Sequence, residues 1–329
     1  MPLSRLLAFL NFTLVPLLAA IAGAQEWAIQ FRSDPAPELL RPFGEAARFS
    51  LSVSDGVGKP LPRGEISLVM EAPAPSSFLS TDFPLIEGTR LLEIQLPLID
   101  GRAEWRQVLP IRGVYRLSVD AGTADGRVGK HKFELSVAES REKWLWLGLF
   151  CAALFVLGFV AGRIFTRPRG PQALLLIAFA LTCARSAAAH EAEKAGHEGS
   201  HSGAIAVEPA TVGKPALIRW RSFPGDSEPK LLSLAIIHLE KTKTVFAFEK
   251  LPVTKEFSFA FHFPDGAQYL IQASAETSGG GRDSAEQKIS VTGVEPTLGV
   301  QLPSLLFFLA VIALGLGAGR LSKRWRGSF

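Results

Sequence analysis

The sequence predicts an all-β protein held at a membrane, with two immunoglobulin-like or cupredoxin-like β-sandwich domains outside the membrane and transmembrane α-helices beside them. Apolar and polar residues alternate over short stretches bounded by Gly, Pro and Asp, which is typical of antiparallel strands with one buried face. Hydrophobic residues make up 47% of the chain and concentrate in four long blocks. The same order of features occurs twice in 329 residues, a length that suits two domains.

The first predicted sandwich covers residues 25–140 and the second covers residues 205–293. Alternation in the first is found at Trp27/Ile29/Phe31, Phe49/Leu51/Val53, Ile66/Leu68/Met70, Leu92/Ile94/Leu96, Val114–Val119 and Phe133/Leu135/Val137. In the second it is found at Ala216/Ile218/Trp220, Leu232–Leu239, Val245–Phe248, Phe257/Phe259/Phe261/Phe263, Tyr269–Ala273 and Ile289/Val291. Near the end of each domain a turn leads into a strand that carries a tyrosine, Tyr115 or Tyr269. We expect both tyrosines to be structural corner residues.

The first apolar block, residues 1–24, is predicted to be a signal peptide. Arg5 gives the basic start, Leu6–Ala20 is apolar, and Ala22–Ala24 are small residues of the kind that precede a cleavage site. A retained membrane anchor is the alternative interpretation. Either role directs the following domain out of the cytoplasm.

Two further blocks, residues 144–165 and 302–320, are predicted transmembrane helices. Each is followed by basic residues, in a loop at 166–171 and in a tail at 321–329. Because basic residues flanking a membrane helix remain in the cytoplasm, both sandwich domains are expected on the extracytoplasmic side. The predicted location is the bacterial cytoplasmic (inner) membrane, with both domains on the periplasmic face.

The third block, residues 172–189, is short for a membrane helix and is interrupted by Arg185. It resembles a second, internal signal peptide because an Ala-rich end follows the apolar centre. Two interpretations remain open. The chain either crosses the membrane here uncut or is cleaved before His190, and both give the same topology.

The two helices with basic flanks match each other at one constant offset. Gly158 and Gly162 of the first align with Gly315 and Gly319 of the second. This repetition indicates a tandem duplication of the whole unit of domain and anchor. Small residues at this spacing allow two membrane helices to approach closely, so a helix pair is one expectation.

The histidines predict a metal site. A His- and Glu-rich linker, residues 190–204, follows the third block, and neutral imidazole is a favoured ligand of copper and zinc. The alternative is a solvated linker without a metal. Five of the six histidines lie from residue 190 onward and form the predicted ligand set: His190, His197, His201, His238 and His262.

Residues 49–70, with Gly113–Val119 further on, resemble the FixH-like and YtkA-like domains. Ile236–Glu240 and Pro264–Tyr269 look like a related group of copper-associated sandwiches. The resemblance implies small extracytoplasmic, membrane-tethered immunoglobulin-like domains that accompany copper and respiratory-oxidase assembly. In the copper-associated group a His-x-His-Pro segment follows the first histidine strand. This sequence has Phe246–Lys250 near that place.

The sequence is not expected to encode an enzyme, because it lacks a nucleophile elbow, a phosphate loop, a paired-carboxylate motif and HExxH. Cys151 and Cys183 both lie in apolar blocks, so the domains are expected to fold without disulfides. The net charge is +4 and the basic residues flank the apolar blocks, which argues against a nucleic-acid partner.

The expected function is that of an extracytoplasmic accessory or assembly protein that handles copper or another transition metal. The alternative is a metal-independent interaction module or subunit of a membrane complex, and adhesion is a third hypothesis. The expected partners are the lipid bilayer and another membrane or exported protein.

Overall fold

The computed structural model describes residues 27–61, 63–76, 79–122, 128–164, 204–222, 229–277 and 279–326. These residues form mostly antiparallel β-sheet together with two long apolar helices, as the sequence predicts. The predicted signal peptide, the basic loop 166–171, the third apolar block 172–189 and most of the His-rich linker lie outside the described residues.

The strands fall into two sets of seven. The first set, called the first unit, consists of β1 (Ala28–Asp34), β2 (Ala47–Ser54), β3 (Arg63–Glu71), β4 (Arg90–Ile99), β5 (Arg102–Gln107), β6 (Gly113–Gly122) and β7 (Val128–Val137). The second set, called the second unit, consists of β8 (Ala204–Val207), β9 (Ala216–Arg221), β10 (Lys230–His238), β11 (Lys243–Val253), β12 (Glu256–Phe261), β13 (Gln268–Thr277) and β14 (Arg282–Ser290).

The pairing pattern is the same in both units, apart from one pair between β4 and β5 of the first unit, Ile99 opposite Arg102. In the first, β2 pairs with β1 and β5, while β3 pairs with β4 and β6, and β6 pairs with β7. In the second, β9 pairs with β8 and β12, while β10 pairs with β11 and β13, and β13 pairs with β14. Each strand of the second unit is therefore the counterpart of the strand seven places before it, which agrees with a tandem duplication.

The units are joined edge to edge by strand pairing that the sequence did not predict. β5 pairs with β11, with Gln107 opposite Phe246, and β4 pairs with β12, with Ile94 opposite Phe259. We call this double contact the seam. Since β11 is the counterpart of β4 and β12 is the counterpart of β5, the two contacts are related as in an isologous dimer. The result is two antiparallel runs of seven strands, β1-β2-β5-β11-β10-β13-β14 and β7-β6-β3-β4-β12-β9-β8, which the single pair between β4 and β5 joins into one sheet of 14 strands in the described residues.

The apolar faces of the two runs pack against each other. In the first unit the ring of Phe31 on β1 lies 5.4 Å from that of Phe133 on β7. Beside the seam the ring of Phe246 on β11 lies 5.2 Å from that of Phe259 on β12. The buried apolar side chains of both units belong to one cluster. Burial of apolar area is the dominant favourable term in folding, so the seam extends a core that neither unit completes alone.

Both predicted corner tyrosines fix the turn before their strand. The Tyr115 hydroxyl donates to the Ile111 carbonyl at 2.6 Å and accepts from the Ile111 N–H at 2.9 Å. The Tyr269 hydroxyl donates instead to the carboxylate of Asp265, also four residues earlier. Burial raises the pKa of both phenols, so each hydroxyl stays protonated and can donate.

Two helices in the described part of the chain are long and apolar enough to cross a membrane. The first, α1 (Arg141–Ile164), follows β7, and the second, α2 (Leu298–Arg326), follows β14. The start of α1 is fixed to the first unit, because Lys143 pairs with Asp82 and the guanidinium of Arg112 lies 5.3 Å from the Trp144 ring centre. These helices associate the protein with a membrane.

The helices pack on each other at their glycines. A Cβ atom built on Gly162 would lie 2.3 Å from the Leu316 carbonyl oxygen, and one on Gly319 would lie 2.2 Å from that of Phe159. Gly158 and Gly315 make the equivalent contacts with Ile312 and Phe155. The contact therefore requires residues without a side chain, as the aligned glycines predict. The contacts advance along both helices together, so α1 and α2 are parallel.

Replacing Gly162 or Gly319 by Leu is expected to force the helices apart. Overpacking of a tight contact costs about 1–3 kcal/mol, so the midpoint of thermal unfolding in detergent should fall for each variant. Gly317→Leu is the matched control, since a Cβ there meets no described atom within 4 Å. Equal midpoints for Gly319→Leu and Gly317→Leu would contradict the glycine contact.

Candidate functional site at the seam

The histidines of the predicted ligand set that the structure describes, His238 and His262, lie at the end of the seam nearest the helices. His238 ends β10 opposite Tyr269, and His262 directly follows β12. β7 and β14 run toward this end and continue into the segments that lead to α1 and α2. Both side chains are buried, with exposures of 0% for His238 and 2% for His262.

His238 uses both of its ring nitrogens. Its Nδ1 accepts from the backbone N–H of Lys241 at 3.3 Å, and its Nε2 lies 3.2 Å from the Asp265 carboxylate. Because Nδ1 is an acceptor, Nε2 carries the proton and donates to Asp265. The imidazole thus ties the loop after β10 to the turn before β13, which is a structural role.

Asp265 is the hub of this polar cluster. Its carboxylate accepts from Tyr269, from His238 and from Lys241 Nζ at 2.9 Å. Burial alone would raise the pKa of the Asp265 carboxyl. The hydrogen bonds from Tyr269, Lys241 and His238 outweigh burial, so the pKa lies below its ordinary value. The carboxylate is therefore charged at neutral pH and can hold three donors together.

Lys241 and Lys243 connect this cluster to the first unit across the seam. The ammonium of Lys241 lies 3.7 Å from the ring centre of Phe43, which stacks on Phe83 at 5.3 Å. Lys243 Nζ donates to the carbonyls of Phe43 and Gly44, both at 3.1 Å. Phe43, Phe83 and Gly44 belong to the first unit, so two lysines of the second unit fix the loop before β2.

This polar cluster has no counterpart among the described residues of the first unit. Ile111 occupies the place of Asp265, since each lies four residues before the corner tyrosine. Continuing the register of Glu71 opposite Arg116 puts Ala72 opposite Tyr115, in the place of His238. The duplicated units have therefore diverged at this point, with apolar residues in one and a charged network in the other.

His262 bonds across the seam to the first unit. Its backbone N–H donates to the Leu91 carbonyl at 2.9 Å, and its Nδ1 lies 3.1 Å from the Thr89 hydroxyl oxygen. Burial lowers the pKa of His262, and a hydrogen bond with the backbone of Arg90 acts in the opposite direction. The neutral form is favoured by the lowered pKa.

The structure does not bring His238 and His262, the two described members of the predicted ligand set, together in one metal site. Within the described ranges, no three His, Cys, Asp or Glu side chains form a group that could hold a metal ion. His238 and His262 belong to separate hydrogen-bond networks. His190, His197 and His201 lie outside the described residues, so a copper or zinc role for the linker stays a prediction.

Sequence reasoning missed the residues that build the cluster around His238, namely Phe43, Phe83, Lys241, Lys243 and Asp265. One signal was present, because Asp265 stands in the turn that precedes the corner tyrosine. Phe43 and Phe83 lie in loops of the other unit and carry no periodic pattern. Their proximity to Lys241 depends on the seam.

A groove of about 670 Å³ lies at the helix-facing end of the first unit. Its walls include Glu71, Arg112, Arg116 and Trp144. Arg112 is held by Glu139 at 3.4 Å and by the Leu79 carbonyl at 3.2 Å. The groove adjoins the first turn of α1, so it would face the surface of a membrane spanned by that helix.

No family model matches the sequence, and no curated protein matches it. Among solved structures, the soluble domain of PmoD from Methylocystis sp. ATCC 49242 (Rockwell) is 16% identical over 25% of this chain and 75% of that chain, with a TM-score of 0.21. A tetra-tandem repeat from the extending region of a large adhesion protein is 9% identical over 80% of this chain and 50% of that chain, with a TM-score of 0.23. Red sea bream transglutaminase is 8% identical over 82% of this chain and 32% of that chain, with a TM-score of 0.22. Likenesses at these TM-scores carry no argument about fold or function.

Stability is expected to fall with pH below about 6.5 because of His262. The unfolded chain takes up a proton near its ordinary pKa of 6.5, whereas the folded chain, with a lowered pKa, does not. Between those two pKa values the unfolded state binds more protons, so the free energy of unfolding falls as pH falls. Urea unfolding in detergent from pH 7.5 to 5.0 measures this slope.

His262→Phe should flatten that slope, while His131→Phe, which changes an exposed histidine of β7, should leave it unchanged. An unchanged slope in His262→Phe would contradict a depressed pKa for His262.

Proposed function

We propose that the protein is a membrane-anchored extracytoplasmic accessory protein that works as an interaction module or subunit of a membrane complex. Each unit is proposed to be an immunoglobulin-like sandwich. The observation that supports this best is the seam, in which two edge strands of the first unit, β4 and β5, pair with two of the second, β12 and β11. A body built in this way presents a fixed surface to a partner, and fixed surfaces lose little entropy on binding.

The membrane helices extend this body. The glycine contact holds α1 and α2 together, and Lys143 and Arg112 fix the start of α1 to the first unit. A partner that binds the units would therefore be held at a defined height and orientation above the membrane. This is what an assembly protein or a complex subunit requires.

The geometry also supports a topology. Strand pairing joins both units, while α1 and α2 are parallel and both lead away from them, which supports a placement of both units on one side of the membrane. In this topology the chain returns to that side between Ile164 and Ala204, unless it is cut. We propose that residues 172–189 cross the membrane here and that both units face the periplasm of a bacterial inner membrane.

A partner is expected to bind the faces of the units and not to extend their sheets. Two of the four outermost strands, β7 and β14, carry charged residues that oppose addition of another strand. On β7 these are Lys130 and Lys132, and on β14 they are Arg282, Glu286 and Lys288.

Copper or zinc handling is a second candidate function, supported by three histidines within the short linker of residues 190–204. It predicts that purified full-length protein loses bound copper when His190, His197 and His201 are all replaced by Ala. Equal copper content in the parent and the triple variant would exclude this role for the linker.

A reporter-fusion experiment tests the topology. Alkaline phosphatase is active only outside the cytoplasm, so a fusion within residues 190–204 should be active. Fusions within residues 166–171 and after residue 329 should be inactive, because both sites follow helices with cytoplasmic basic flanks. Activity after residue 329 would contradict two parallel membrane helices.

Loosening the seam is expected to weaken partner binding. Phe43→Ala removes the ring beneath Lys241, whereas Phe31→Ala removes a ring that packs on Phe49 and Phe133 away from the seam. Affinity purification of the full chain from detergent should yield a partner at fixed stoichiometry. Phe43→Ala should lower the recovery of this partner about tenfold, which corresponds to a loss of ~1.4 kcal/mol in binding free energy.

Phe31→Ala serves as the control for general loss of stability and should keep the partner. A monomeric extract from the parent protein, or equal recovery by both variants, would count against the interaction module.

A further inference from the structure

A small cavity lies in the seam, between β5 and the residue after β12. It leaves a volume of about 10 Å³ for the centre of a water molecule, which is about the minimum that one water needs. Gln107 of the first unit and His262 of the second both line it. The other lining residues are apolar or proline: Leu91, Val108, Pro110, Val245, Phe261 and Pro264.

Gln107 and His262, which line this cavity, each have a buried polar atom without a hydrogen-bond partner among the described residues. Gln107 Oε1 and His262 Nε2 are both inaccessible to solvent, and neither has a hydrogen-bond partner among the described residues. Both side chains are 2% exposed. A buried acceptor without a donor costs roughly 1–3 kcal/mol, so two of them beside one cavity require an explanation.

The hydrogen bonds of Thr89 fix which nitrogen of His262 carries the proton. The Thr89 hydroxyl has a single hydrogen and donates it to the Ile86 carbonyl at 2.7 Å. Toward His262 the hydroxyl oxygen must therefore accept, so Nδ1 bears the proton. In the neutral ring Nε2 is then an acceptor.

The cavity thus has two acceptors, one amide oxygen and one imidazole nitrogen, on opposite sides of the seam. We propose that it binds one ordered water molecule, which donates one hydrogen to Gln107 Oε1 and the other to His262 Nε2. The water links the two units where the strand pairing ends. The last backbone bonds of that pairing are Val108 N–H to the Val245 carbonyl and His262 N–H to the Leu91 carbonyl.

A metal cation is the competing ligand, since Nε2 of a neutral imidazole is also a metal ligand. A bare cation in this cavity would have two neutral ligands and an apolar lining. Transfer of an unpaired charge into such surroundings is far more costly than transfer of water. The water is therefore favoured, and this inference does not depend on the proposed function.

A double-mutant cycle on the full chain in detergent tests the bridge. Gln107→Leu and His262→Phe should each lower the midpoint of thermal unfolding, because each leaves the opposite acceptor without its shared donor. The midpoint of the double variant should fall by clearly less than the sum of the two single decreases, since a protein without either acceptor no longer needs the water. Decreases in the midpoint that are additive would contradict the proposed water bridge.

Two direct measurements accompany the cycle. Nitrogen-15 NMR of labelled histidine should show His262 as the Nδ1–H tautomer with a hydrogen-bonded Nε2 at pH 7.5. A crystal structure of the full chain grown with copper(II) should show water density between Gln107 and His262. An anomalous copper signal there, or the Nε2–H tautomer, would contradict the proposal.

Discussion

Strand pairing across the seam is the constraint on which the rest of the structure depends. An unpaired edge strand exposes backbone donors and acceptors that invite association with other chains. Here β4 and β5 of the first unit are paired by β12 and β11 of the second. The duplicated units therefore satisfy each other's edges, and the core cluster continues from one to the other. A tandem repeat has in this way become a single body with the arrangement of a two-fold dimer.

The polar contacts at the seam depend on that strand pairing, and the residues that make them differ between the two units. If the two units were identical, the positions of His238 and Ala72 would carry the same residue, and so would the positions of Asp265 and Ile111. The second unit has instead acquired a charged network whose lysines reach Phe43 and Gly44 of the first. Such a network cannot form between two identical first units. It therefore favours pairing of a first unit with a second unit over pairing of two first units.

Much of the fold was predictable from the sequence, because alternation reports which side of a strand is buried. The alternating stretches at Phe49, Ile66, Leu92 and Phe257 all lie in strands, and the helix contact is present at the aligned glycines.

The seam was not predictable. Alternation describes one strand at a time and holds no information about which edges pair, and the charged cluster depends on loops that only the seam brings together. His238 and His262 were predicted as metal ligands from their residue type and, for His238, from the resemblance to copper-associated sandwiches. Their ring partners, Asp265 and Thr89, are visible only in three dimensions.

Hydrogen exchange at the backbone amides that cross the seam tests the central claim most directly. The Val108 N–H donates to the Val245 carbonyl and the His262 N–H donates to the Leu91 carbonyl. If the units form one cooperative body, these amides should exchange as slowly as those of the central strands β3 and β10, through the same global opening. Exchange of both amides at rates typical of loops, while β3 and β10 stay protected, would show two units that move independently and would contradict the account.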